Sequence, residues 1–446
     1  MTTTEPEKNS FYNLGIAPKL LEILDRLNFK IPTPIQTKSI PIGLEGKDMM
    51  GIAQTGTGKT LAFGIPMIQR LALTKKRGLV ILPTRELALQ VEETIYKIGN
   101  SLGVKTAVLI GGAPMNKQIS ALKRNPHIVI GTPGRLNDHL QQKTLELSKV
   151  GVLILDEADR MLDMGFLGQI ERIVKHVPQD RQTLLFSATM PEEIIKLASS
   201  YMKLPIRVEI ERPGTAAADI KQELFFVKKE NKINLLQKML NEYKGSALVF
   251  SRTKHGASKI SKALRGAGFS STEIHSNRSL PQRRAALDGF KAGKFRVLVA
   301  TDIAARGIDV KGIQLVLNFD IPENPGDYVH RIGRTGRAGM SGNAITFATP
   351  DQTADVRDIE RLIRTTLPVS KHSEFSAPAE LGNKPGRSRE ARPNREPRQY
   401  RKPQGGSFGG SKPRRGRFDR GRPPRADKKR TFIDFRSGGS FTKPSK

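Results

Sequence analysis

A chain of 446 residues exceeds what one ordinary hydrophobic core organises, so two or three folding units are expected. Its formal charge of +32 calls for a polyanionic partner, nucleic acid before a membrane surface, and the lack of cysteine excludes disulfides and thiolate metal sites. No apolar run approaches the roughly 20 residues that span a bilayer, and Met1–Glu7 lacks the basic and apolar regions of a signal peptide; the expectation is a soluble, cytoplasmic protein without a membrane partner.

Along the chain, Lys19–Leu27 carries Leu20, Leu21, Ile23, Leu24 and Leu27 at helical spacing. In the following Asn28–Gln36, Pro32 and Pro34 force a turn that would fix Gln36, whose amide offers the donor and acceptor an adenine edge requires. Next comes Ala53-Gln54-Thr55-Gly56-Thr57-Gly58-Lys59-Thr60, between a strand-like Met49–Ile52 and a helix-like Leu61–Phe63. Glycines let backbone N–H groups converge on phosphate oxygens, Lys59 reaches the β/γ-phosphates, and Thr60 offers a hydroxyl to magnesium. The generic pattern starts with glycine where this chain has Ala53, which tolerates positive φ poorly, so the loop must enter differently.

Strand-like and helix-like runs then alternate, the rhythm of a parallel, doubly wound sheet. Leu79–Leu82 ends at Pro83-Thr84-Arg85, Ala107–Ile110 at Gly111-Gly112, and Ile128–Ile130 at Gly131-Thr132-Pro133-Gly134-Arg135. Thr183–Phe186 ends at Ser187-Ala188-Thr189. Between them, Val152–Leu155 runs straight into Asp156-Glu157-Ala158-Asp159. Acids at the carboxyl end of a buried strand suit a magnesium-nucleotide site, with Asp156 for the metal and Glu157 for the attacking water. Alone, the same residues read equally as a strand-to-helix turn capped by Asp156 or Asp159.

Pro213-Gly214-Thr215 and the alanines after it mark a linker, after which a second alternating block begins. Ala247–Phe250 ends at Ser251-Arg252, Val297–Ala300 ends at Thr301-Asp302, and Leu315–Phe319 follows. His330-Arg331-Ile332-Gly333-Arg334-Thr335-Gly336-Arg337 packs cations into a short stretch in a block without a phosphate loop of its own. Arginines brought to a nucleotide held elsewhere act as arginine fingers; a solvated basic turn is the plainer reading. From Lys371 onward there are 22 Lys and Arg against 7 Asp and Glu, with Gly, Arg and Phe interleaved. Such a segment cannot bury enough apolar surface to fold and suits sequence-tolerant RNA binding, or merely solubilises the chain.

Taken together, residues of about 11 to 368 resemble the core of the DEAD-box RNA helicases of superfamily 2, with Asp156-Glu157-Ala158-Asp159 the eponymous motif; the short core and Gly/Arg tail resemble the bacterial RhlE-type branch. The resemblance implies an α/β fold of two tandem RecA-like parallel-sheet domains, at 1–205 and 219–368, with a linker at 206–218 and a disordered basic tail at 369–446. It implies ATP and Mg2+ as cofactors, RNA as partner with little sequence preference, and ribosomal or RNA-decay proteins as further partners. Catalytic roles fall on Lys59, Asp156, Glu157, His330, Arg334 and Arg337, and metal binding on Thr60 and Asp156. Phe11, Phe29 and Gln36 match the adenine-reading motif, with Asn28 where glycine is usual; Ala53, Gln54, and Thr55 through Thr60 match the phosphate loop, and Gly307 and Asp309 complete the nucleotide site.

Ser187, Thr189 and Asp302 would couple hydrolysis to strand separation. RNA-backbone contacts would fall at Pro83, Thr84, Arg85, Gly111, Gly112, Thr132, Gly134 and Arg135, and across the cleft at Arg252 and Thr301. The family's Gln, three residues before an Arg, is Leu280 here; Arg283 keeps its place and Gln282 falls two residues late. The activity implied is RNA-stimulated ATP hydrolysis coupled to local unwinding of short duplexes or remodelling of RNA–protein complexes. An ATP-gated RNA clamp needs the same motifs, whereas in a tail-driven RNA chaperone or annealer the core is secondary.

Overall fold

A computed structural model describes residues 10–54, 56–210, 220–305, 310, 312–336, 341–371 and 375. It contains two wholly parallel sheets within one compact unit. The first comprises β1 (Met49–Ile52), β2 (Arg77–Ile81), β3 (Thr106–Leu109), β4 (Ile128–Gly131), β5 (Val150–Leu155), β6 (Gln182–Ser187) and β7 (Ile206–Glu209), in the order β3-β4-β2-β5-β6-β1-β7. The second comprises β8 (Ile220–Phe226), β9 (Ala247–Phe250), β10 (Ser271–Ile274), β11 (Val297–Ala300), β12 (Leu315–Asn318) and β13 (Gly342–Ala348), in the order β10-β11-β9-β12-β13-β8.

Continuous apolar runs form these strands because helices cover both faces of each sheet. Alternate residues supply the two faces. Val80, Val152, Ile154, Leu184 and Phe186 enter one core of the first sheet, while Leu79, Ile81, Leu153, Leu155 and Leu185 enter the other. The second sheet repeats this, with Val249, Val299 and Leu317 on one side and Leu248, Leu298 and Val316 on the other. Since every strand runs the same way, all carboxyl ends share one edge per sheet, where open parallel sheets place ligands.

Two expected boundaries move. Ile206–Glu209, placed at the start of the linker, pairs with β1 as an edge strand, Met49 opposite Ile206. Only Val208 of its residues is buried, so its alternating sequence carries no strong apolar run. At the other end, Val369 bridges to Leu224 and the Ser370 N–H donates to the Leu224 carbonyl at 2.8 Å, so the second sheet's pairing runs past the expected tail start. The rest of the tail lies outside the described residues, apart from Lys371 and Phe375.

Candidate active site

After β1 the chain turns through Ala53 and Gln54 into the helix Lys59–Thr74. Among the described residues of the loop, positive φ occurs only at Gly56 (86°) and Gly58 (90°); Ala53 enters in ordinary backbone and its N–H donates to the Ser187 carbonyl at 3.0 Å. Lys59 is 6% exposed, its Nζ 3.1 Å from the Ala53 carbonyl and 3.7 Å from Asp156 Oδ1. Thr57 donates its hydroxyl to the Gln54 carbonyl at 2.7 Å, and Thr60 is half-buried in the first helical turn. Thr55 lies outside the described residues.

Gln36 joins this loop to its upstream turn. It sits in the helix Pro34–Glu45, where its Oε1 accepts from the Thr33 N–H at 2.9 Å and its Nε2 donates to the Gly58 carbonyl at 3.0 Å. One donor and one acceptor of the amide are thus spent internally and one of each remains. A Cβ on Gly58 would stand 2.4 Å from Gln36 Nε2, a second reason, besides its φ, for glycine there. Asn28 adopts φ 60°, the left-handed conformation that asparagine tolerates best after glycine, so the departure from the usual glycine preserves the turn. Phe29 is 37% exposed and offers a face for stacking; Phe11, matched to the upstream aromatic of the same motif, is 3% exposed within the first core, in the short turn Phe11–Leu14.

The acids follow β5. The Asp156 N–H donates to the Ile81 carbonyl at 3.1 Å, and Asp156 Oδ1 accepts from the Glu157 N–H at 2.9 Å. Burial pushes the Asp156 carboxyl up to about 6, against the pull of Lys59 and with the push of Glu157 and Asp159. Glu157 occupies the left-handed region at φ 54°, a strained setting for a non-glycine residue, and its Oε2 is buried without a hydrogen-bond partner. The helix Ala158–Asp163 has Glu157 at its N-cap with no bond from that side chain, while Asp159 Oδ1 accepts from the Arg160 N–H in the first turn at 3.0 Å. A buried carboxylate held above its usual range 3.7 Å from Lys59, with the next residue's Oε2 lacking a hydrogen bond among the described residues, fits a divalent cation's surroundings.

Asp159 is the hub between the acids and the loop after β6. Its Oδ2 accepts from the Ala188 N–H (3.1 Å), the Thr189 N–H (2.9 Å) and the Thr189 hydroxyl (3.0 Å), while its own N–H donates to Ser187 Oγ (3.1 Å). Burial acts to raise its carboxyl, but Lys59, His330, Arg160 and the Thr189 hydroxyl outweigh it and hold it below the usual carboxylate range. His330 comes from the second sheet's side. Ser187 and Thr189, two of the three residues expected to couple hydrolysis to strand separation, therefore both bond to Asp159, one through its N–H and the other through its carboxylate, which also feels the second domain.

His330 and Arg331 lie on the helix Pro325–Ile332 and Arg334 just beyond it. Arg331 is 2% exposed and clasps Asp302 through Nε (2.5 Å) and Nη2 (2.7 Å), donates to Asn318 Oδ1 (3.2 Å) and the Asp320 carbonyl (2.6 Å), and lies over the Phe250 ring. It is a structural pillar, and Asp302 is its anchor. Arg334 is 3% exposed with Nε 3.2 Å from the His330 carbonyl. Arg331, Arg334, His330, Asp302 and Asp327 share a narrow cleft with Arg160 of the acidic turn. Gly307, Asp309 and Arg337 lie outside the described residues.

The expected RNA contacts cluster on the other half of the first edge, at the ends of β2, β3 and β4. Thr84 caps the helix Arg85–Gly99, and Pro83 is buried beside it. The Arg85 guanidinium lies against the Gly111-Gly112 turn, where a Cβ on Gly112 would stand 2.4 Å from Nη1. Arg135 Nη1 donates to the Ala113 carbonyl at 3.0 Å, Thr132 starts the helix Pro133–Gln141 and Gly134 is exposed there. Across the cleft, the exposed Arg252 is fixed by its N–H to Asp320 Oδ2 (3.1 Å), and the half-buried Thr301 opens the helix Asp302–Ala305.

Further contacts near the domain junction give four residues positions that spacing did not signal. Glu86 Oε2 accepts from Arg283 Nη2 at 2.8 Å with both side chains buried, directly joining the first and second sheets' domains. Leu280, where the family has Gln, packs against the first core, and the displaced Gln282 closes a capping box with Ser279 at the start of the helix Leu280–Lys291.

Residues 33–197 match the DEAD/DEAH box helicase family, and residues 231–339 match the helicase conserved C-terminal domain. The chain is 45% identical over 361 residues to a DEAD-box ATP-dependent RNA helicase CshA of Geobacillus kaustophilus, covering 80% of this chain and 77% of that one. It is 46% identical over 360 residues to an ATP-dependent RNA helicase CshA of Listeria monocytogenes, covering 80% and 69%. Among solved structures, S. cerevisiae Dbp5 bound to RNA and ADP BeF3 aligns with a TM-score of 0.73 at 30% identity, covering 81% of this chain and 95% of that one. Mss116 bound to ssRNA and UDP-BeF aligns with a TM-score of 0.75 at 29% identity, covering 83% and 82%. With both domains matched and the nucleotide edge assembled, the chain belongs to the DEAD-box ATP-dependent RNA helicases and is an ATP hydrolase.

Proposed function

We propose that RNA-stimulated ATP hydrolysis proceeds by closure of the two domains around the shared strand-end edge. The observation that carries this reading is Asp159: one carboxylate holds the Ser187–Thr189 loop and is also pulled down by His330 of the second domain. RNA bound at the ends of β2, β3 and β4 favours the closed arrangement, and closure brings Arg334 to the phosphates beside Lys59. Glu157 orients the attacking water and takes its proton, while Lys59 and Arg334 stabilise charge on the transferring phosphoryl group.

Asp156 and Thr60 would hold Mg2+, which neutralises phosphate charge when bound. Phe29 and Gln36 would read the adenine, Thr55, Gly307 and Asp309 would complete the nucleotide site, and Arg337 would join Arg334 as a second finger. Contacts to phosphates from strand-end loops give little base preference, and the basic tail would add affinity that falls steeply with salt. Local separation of a short duplex follows when one strand is bent on closure. The short core and Gly/Arg tail support the RhlE-type branch, and a cytoplasmic setting with ribosomal or RNA-decay partners fits that reading. Domains at about 1–210 and 220–370 fit the strand pairings.

The test is ATP hydrolysis with and without single-stranded RNA for the wild type and Glu157→Gln. Strong stimulation by RNA, lost in the variant while ATP binding persists, is expected. Equal wild-type rates with and without RNA would overturn the coupling.

A further inference from the structure

Arg160 has no part in the roles assigned above, yet its side chain is among the largest fully buried in the protein, at 1% exposure. Its Nε stands 3.5 Å from Glu157 Oε2, while Nη1 and Nη2 are buried without a hydrogen-bond partner among the described residues. A guanidinium stays charged and carries five N–H donors, so leaving two nitrogens buried and unbonded is costly. The cleft that Arg160 lines is otherwise walled by the second domain, with Asp302 and Asp327 as its carboxylates. Asp302 is clasped through both oxygens by Arg331. Asp327 is half-buried in the first turn of the helix Pro325–Ile332, the helix that carries His330. The cleft holds about 10 Å³ of space, close to what a single water needs.

We propose that Arg160 is a positioning residue that bridges Glu157 to Asp327 across the domain boundary, directly or through one water. This rests on the coupling reading above. A carboxylate accepts about four hydrogen bonds, so Asp327 can serve Arg160 alongside its other contacts. With the domains apart, Arg160 is left with the first domain's own acids, Glu157 at 3.5 Å and the neighbouring Asp159, and its pair with Glu157 is free to reorient. With the domains together, a second anchor fixes the guanidinium and, through it, the Glu157 carboxylate. The orientation of the water-activating residue thus becomes conditional on closure, and closure gains a charge-assisted link beside His330 and Asp159.

The experiment measures RNA affinity of the full chain with and without a non-hydrolysable ATP analogue, for the wild type, Asp327→Asn, Arg160→Lys and the double variant. Asp327→Asn is isosteric at a half-buried site, and Arg160→Lys keeps the charge while losing the fork. Each single variant should lower the analogue-induced gain in RNA affinity about ten-fold or more, the worth of a charge-assisted hydrogen bond. Analogue binding without RNA should not change, and the double variant should lose no more than the worse single one. Wild-type gain retained in both single variants would overturn this inference alone. A wild type with no analogue-induced gain would overturn the coupling reading and this inference with it.

Discussion

In the first sheet the charged residues at the strand ends are held by groups at other strand ends of the same sheet. Lys59 after β1 faces Asp156 after β5, and the loop after β6 folds onto Asp159. These acids keep unspent capacity: Glu157 Oε2 has no hydrogen-bond partner and the Asp156 carboxyl is pushed up to about 6 by burial. In the second sheet the acids are consumed by structure. Asp302 is spent on Arg331, and Asp320 accepts from the Arg252 N–H and pairs with Lys232. The first domain stores reactive charge, whereas the second uses its carboxylates to fix the frame that carries His330 and Arg334. On the reading proposed above, each edge supplies part of the set of groups that phosphoryl transfer requires, and hydrolysis would depend on their juxtaposition.

The sharpest break in that contrast comes from Arg334→Ala, a finger removed from an otherwise intact first edge. RNA-stimulated hydrolysis should fall about 10³-fold or more while ATP binding persists, read by steady-state turnover and nucleotide titration. Arg331→Ala, three residues earlier, should act oppositely. Stripping a buried cation from Asp302 should cost about 3–5 kcal/mol of second-domain stability, read from the denaturant midpoint. Asp159→Asn should preserve ATP binding but lower RNA stimulation about ten- to hundred-fold, because charge-assisted bonds to the Ser187–Thr189 loop become neutral ones. Smallest is Leu280→Ala. Trimming a half-buried apolar contact between the domains should cost about 1 kcal/mol, an approximately five-fold weaker RNA complex with an ATP analogue. A Leu280→Ala effect as large as that of Asp159→Asn would shift the main coupling away from the nucleotide edge.

Arg331 and Arg334 also show where sequence reading stops. Both lie in one basic run, and spacing gives no reason to make one a pillar and the other a finger. Burial over Phe250 and the clasp on Asp302, 29 positions away in sequence, decide it. Glu86 and Arg283 are 197 positions apart, and neither residue type signals a partner at that distance. The edge strand β7 and the mixed β10 went unread for a different reason. Ile-Arg-Val-Glu and Ser-Thr-Glu-Ile lack the continuous apolar run that two-sided burial imposes on central strands.

By itself, the sequence determined the parallel α/β architecture, the order of the strand-end motifs and the identity of the nucleotide edge. Those depend on local pattern: apolar runs that must be buried on both faces, and glycines such as Gly58 whose positive φ strains any side chain. Only the tertiary structure decided which charges are spent and which remain. That Gln36 caps its own helix and tethers Gly58, that Asp159 gathers Ser187 and Thr189, and that Arg160 faces the second domain are results of packing. Burial removes water as the alternative partner, so the three-dimensional neighbours set each polar group's role.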